Sequence, residues 1–144
     1  METLSVITPA LLAKGCAQLN ELERVLAQCP PPPVQPVTNR FTPGLYSREI
    51  RMQAGLVCTS KIHKTHHQFI VSKGVCEVWS EDDGWQLIRA PYHGITKPGA
   101  RRAFKIIEDT IFTLFWPNPD NLTDLAAIED AMIESHEIPK QGEL

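Results

Sequence analysis

From Phe41 onward the chain breaks into short apolar runs closed by turn signals. This texture predicts a mainly-β, antiparallel domain, either a sandwich or a small barrel. Two further observations complete the class. An amphipathic helical pattern precedes the β-region and another follows it, so an α-helix is expected at each end. Strands do not alternate with long helical segments, which argues against a parallel α/β sheet.

The first helix is expected to start at Thr8 and Pro9, a hydroxyl N-cap ahead of proline at the first helical position. Leu12, Cys16, Leu19, Leu22 and Leu26 then recur at spacings of three and four and form one apolar face. The run PPPPVQP, Pro30 to Pro36, stops the helix and continues as an extended, polyproline-like connector. The expected division is a helix over 1–29, a connector over 30–40, the β-domain over 41–117, and a C-terminal helix with a polar tail over 118–144. The apolar face of the first helix either packs on its own domain or pairs with another subunit. A homodimer or larger homo-oligomer is expected, through Leu12, Leu19 and Leu22 or through an edge strand.

Within the β-region, LYSREIRM alternates, with Tyr46, Arg48, Ile50 and Met52 on one side and Leu45, Ser47, Glu49 and Arg51 on the other. QFIVS and VCEVWS flank Lys73-Gly74, read as a tight turn. Asp83-Gly84 signals a hairpin into a strand at Trp85–Ile88. Gly94 and Pro98-Gly99 mark two more turns, and DTIFTLFW is a last strand ended by Pro117. Asn121 is the expected cap of the C-terminal helix, with Leu125, Ile128 and Met132 on its apolar face.

Composition narrows the function classes. A net charge of −3 gives no electrostatic case for nucleic acid or an anionic membrane as partner. No apolar run approaches the ~20 residues that span a bilayer. The N-terminus lacks a basic segment and Pro9 interrupts its apolar stretch, so no secretory leader is expected. Cys16, Cys29, Cys58 and Cys76 show no C-x-x-C spacing and are expected as free thiols in a reducing cytoplasm.

The stretch GLVCTSKIHKTHHQFIVSKG, Gly55 to Gly74, carries His63, His66 and His67. Its frame resembles the first metal-binding motif of the cupins, small jelly-roll barrels. In that motif glycine, three ligand positions and a second glycine recur at fixed spacing. The ligand positions fall on Lys61, His63 and His67. The second cupin motif centres on Pro-x-Gly-x-x-His; with Gly99 as its glycine, Arg102 stands in the ligand position. More narrowly, YSREI, KIHKTHH, TKPGARR and EDTIFTLF, in that order, resemble a family of small cupin-like proteins of phages and prophages without an assigned activity. His66 stands where that family usually has a carboxylate, and Trp116 where a histidine often follows the last strand. The resemblance implies a cupin-like jelly-roll barrel in the host cytoplasm or virion, with phage virion or host proteins as further partners.

Three readings of the histidine stretch stay open. Lys61, His63 and His67 are two and four residues apart, so on a strand they share one face, the interior of a barrel. His63 and His67 could hold a divalent metal such as Zn, Fe, Ni or Mn, with His66, His93 or Glu108 as the third ligand. Alternatively, Lys61, Arg102 and Arg101 beside the histidines suit an anionic ligand. The third reading is structural, with Arg102 paired to Glu108 or Asp109 and the histidines satisfied by backbone carbonyls.

Overall fold

The computed structural model describes residues 16–31 and 33–134. Helix α1 (Cys16–Leu26) is followed by the connector and strands β1 (Val37–Thr42), β2 (Gly44–Met52), β3 (Val57–Thr59) and β4 (Ile62–His63). Then come β5 (His67–Ser80), β6 (Gly84–Arg89), β7 (Tyr92–Thr96), β8 (Arg102–Asn118), helix α2 (Leu125–Met132) and β9 (Ile133–Glu134). Thr8, Pro9 and Leu12 lie outside the described residues, as do the polar tail and the side chain of Cys16.

Two long strands, β5 and β8, pair with each other along their length and form the spine. Every pairing is antiparallel. The order is β1-β2-β8-β5-β6, with β3 also on β8 and β7 also on β5. The ladder does not close on itself, so the barrel expected from the motif is an open antiparallel sheet in its hydrogen bonding. Side chains nevertheless meet across it. Phe104 and Phe112 stand eight residues apart on β8, which would separate them by ~26 Å on a straight strand. Their ring centroids are 5.5 Å apart. The strand therefore bends sharply, and its two halves face each other.

The bend has a local cause. Ile107, Glu108 and Asp109 are exposed in succession, breaking the inward-outward alternation that returns cleanly from Thr110 to Trp116. Opposite them, β5 slips register between Val71 and Cys76, with Gly74 at φ 95°. A Cβ on Gly74 would lie 2.3 Å from the carbonyl oxygen of Asp109, so only glycine fits. Gly74 is thus a β-bulge inside one strand and not the expected tight turn. The bulge inverts the faces of β5: Phe69 and Val71 point inward before it, Cys76 and Val78 after it.

Other expectations are corrected in the same way. Gly94 lies within β7 and leaves room for the Phe69 ring, 2.3 Å from where its Cβ would be; it is not a turn. Strand β8 continues through Pro117, and β1 begins at Val37, inside the expected connector. Helix α2 is capped by Asp124, whose carboxylate accepts from Ala127 N, and not by Asn121. Asn121 instead accepts from Gly44 N. The Asp83-Gly84 hairpin and the Pro98-Gly99 turn form as expected, with positive φ at both glycines.

The sheet has a packed layer on each face. Inside the bend, residues from both halves form one core with Ile128, Met132 and Ile133 of the α2–β9 segment. Outside it, Leu19 and Leu22 of α1 bury against Trp79 and Ala103. Leu19 and Leu22, two of the three leucines expected at a subunit interface, are therefore covered by the chain's own sheet. Cys29, Cys58 and Cys76 are free thiols, and burial pushes Cys58 and Cys76 up to about 11. No helix among the described residues is long and apolar enough to cross a membrane.

Candidate functional site

The inner face of the bend encloses a cavity of about 210 Å3. Its walls are largely apolar: Met52, Phe104, Phe112, Leu114 and Trp116 among them. Four basic side chains also reach it, namely Arg48, Lys61, His63 and Arg102. The sequence expectation named three of these and missed Arg48.

Each is placed by its element. Arg48 shares the inward parity of β2 with Tyr46, Ile50 and Met52, which puts its aliphatic stem among the core side chains. Its Nε is buried without a hydrogen-bond partner, and among the described residues no carboxylate lies within ion-pair distance of its guanidinium. Arg102 opens β8, its backbone N–H donating to Ser60 Oγ (2.8 Å). Its guanidinium donates to Thr96 Oγ1 (2.7 Å) and lies 4.7 Å over the Phe69 ring, a cation–π contact. It makes no ion pair with Glu108 or Asp109; both are exposed on the outer side of the bend.

His63 and His67 meet beside Trp116. Strand β4 carries His63 and pairs with β9, while Gly99 N donates to the His63 carbonyl (2.7 Å), tying the first motif to the second. The two imidazoles are buried, with ring centroids 4.5 Å apart, and both lie against Trp116 at 5.8 and 5.2 Å. Burial, the neighbouring His67 and the charge of Arg102 push His63 down to about 3. Burial and Arg102 bring His67 to about 4, although its contact with the Thr65 carbonyl acts the other way. Both rings are neutral at pH 7. His63 Nδ1, His67 Nε2 and Trp116 Nε1 have no hydrogen-bond partner.

The remaining candidates are dispersed. His66 and His93 are exposed, as is Glu108. Arg101 points to the opposite face of the sheet from Arg102, where it is buried and paired with Glu23 of α1. Lys61 sits half-exposed at the cavity mouth, paired with Glu129 of α2. Its pKa is lowered by partial burial and by Arg48.

This donor set does not fit a resident divalent cation. Among the described residues no three His, Cys, Asp or Glu side chains come together. The imidazole pair found among the described residues has no described carboxylate beside it and faces the positive charge of Arg102, which repels a cation.

No family model matches the chain, and no curated protein does. Solved structures do resemble it. KdgF from Halomonas sp. aligns at 18% identity over 66% of this chain and 91% of that one, with a TM-score of 0.51. The fold is like that of KdgF. An RmlC-like cupin family protein from Methanocaldococcus jannaschii aligns at 14% identity over 60% of this chain and 84% of that one (TM-score 0.49). A cupin-2 domain containing protein from Shewanella frigidimarina aligns at 12% identity, over 65% and 89% (TM-score 0.47). At such identities the likeness concerns the fold and not the site.

Proposed function

We propose that this cupin-like protein binds a small organic anion in the cavity of the bend. One observation carries the reading: Arg48 and Arg102 reach the same largely apolar cavity, and neither guanidinium has a carboxylate partner among the described residues. A guanidinium kept out of bulk water without a counter-charge is unfavourable, and a bound carboxylate relieves it through charge-assisted hydrogen bonds. The walls of Phe104, Phe112 and Leu114 suit an apolar ligand body. At about 210 Å3 the cavity is below the ~300–1,000 Å3 usual for drug-sized ligands, so the occupant is a small metabolite. Neutral His63 can orient a polar group of the ligand by hydrogen bonding. The motif resemblance supplies the setting, a phage- or prophage-borne accessory protein of the host cytoplasm.

Thermal denaturation tests this with butyrate and benzoate against chloride at equal ionic strength. Selective binding to the folded state should raise Tm with ligand concentration in wild type, and much less in Arg102→Gln. Equal shifts by chloride and by the organic acids would overturn the proposal.

A further inference from the structure

The cavity's charge and the placement of its two arginines narrow the ligand class, an inference that rests on the anion-binding reading above. Lys61 is neutralised at contact distance by Glu129, and His63 is neutral, so the remaining formal charge at the cavity is that of two guanidiniums. Asp83, at the tip of the β5–β6 hairpin, attracts Arg102 electrostatically but forms no ion pair with it. A monoanion would leave one guanidinium uncompensated. A dianion would match both.

The strands say how that charge is distributed. Arg48 on β2 lies opposite Leu114, in the half of the sheet built on the C-terminal part of β8. Arg102 lies opposite Ser80 at the N-terminal end of β8, in the other half. Because β8 folds back at Ile107–Asp109, these halves face each other and the arginines enter from opposing walls, with Phe104, Phe112 and Leu114 between. Guanidiniums on facing walls hold two separated anionic groups better than one compact head. We infer that the ligand is a small aliphatic dicarboxylate, one carboxylate on Arg48 and the other on Arg102, its methylenes against the aromatic wall. Arg102 is already fixed by Thr96 and Phe69, so binding orders little more of it.

Calorimetric titration with succinate, glutarate, adipate and pimelate, each beside the monocarboxylate of the same carbon number, tests the inference. Phosphoglycerol and inorganic phosphate serve as compact dianions. Fixed walls predict an optimum at one chain length, where the diacid binds at least ~10-fold tighter than its monoacid, the effect of one more charge-assisted contact. Arg48→Gln and Arg102→Gln should each remove the diacid preference while leaving weak monoacid binding. Equal affinity for diacids and monoacids overturns the dicarboxylate inference and leaves the anion site standing. Tighter binding of the phosphates than of every diacid also overturns it, in favour of one compact dianionic head. Failure of every anion to bind overturns both. The wild-type comparisons decide the matter even if a variant folds poorly.

Discussion

Arg101 and Arg102 are neighbours in the chain and opposites in role. On the outer face, Arg101 is buried against α1, where it pairs with Glu23, donates to Asn20 Oδ1 (2.8 Å), and so joins the helix to the sheet. Thr59 Oγ1 also donates to Glu23 (2.7 Å). On the inner face, Arg102 meets a hydroxyl and an aromatic ring but no carboxylate. Side chains alternate across a strand, and this alone sends the two guanidiniums to different sides of the sheet. The difference teaches what separates a structural charge from a binding one. A buried charge with its counter-charge in place holds the fold together, whereas one held by neutral groups keeps its field for a ligand.

The largest expected effect breaks the outer side. Arg101→Ala, which removes the counter-charge of the buried Glu23 carboxylate, should destabilise the protein by about 3–5 kcal/mol in urea denaturation. If the comparison holds, Arg102→Gln should cost less, about 1–3 kcal/mol, because it takes the donor from the buried Thr96 hydroxyl but removes no ion pair. Similar losses in the two variants would erase the distinction.

Acid sharpens the inner side. His63 and His67 have folded-state values of about 3 and about 4, against an unfolded value near 6.5. Between these limits the unfolded chain binds more protons than the folded one, so stability falls as pH drops below ~6.5. The histidines together should remove on the order of 2–5 kcal/mol by pH 4.5. Imidazole resonances followed by NMR should stay in the neutral form at pH 5.5 in the folded protein. Titration of either near 6.5 would contradict their burial.

Much of the inner side was legible in the sequence, and the reasons are local. His63 and His67 were placed together by spacing, and Arg102 by its offset from Gly99. Arg48 was not singled out, because within YSREI it reads as an ordinary member of an alternating strand. Its role depends on β8 folding back opposite it. The Glu23–Arg101 pair spans 78 positions, and no local pattern signals such a contact. Gly74 was misread because two apolar runs around a glycine look alike whether the chain reverses there or only bends. Trp116, which stands where a histidine often follows the last strand, turns out to wall in both imidazoles.

The smallest expected effect lies at the mouth. Lys61 and Glu129 are paired but both well exposed, so Lys61→Ala should cost at most about 1 kcal/mol of stability. In chemical denaturation, a loss as large as that of Arg101→Ala would mean that this pair, too, is structural.

The central claim is that Arg48 and Arg102 together form an anion site. The most direct measurement is calorimetric titration of wild type, Arg48→Gln and Arg102→Gln with glutarate at pH 7, each first shown to unfold cooperatively. The account predicts saturable one-to-one binding by wild type and affinity at least ~10-fold weaker in each variant. Wild-type affinity retained in both variants, or no heat of binding in any of the three, would contradict it.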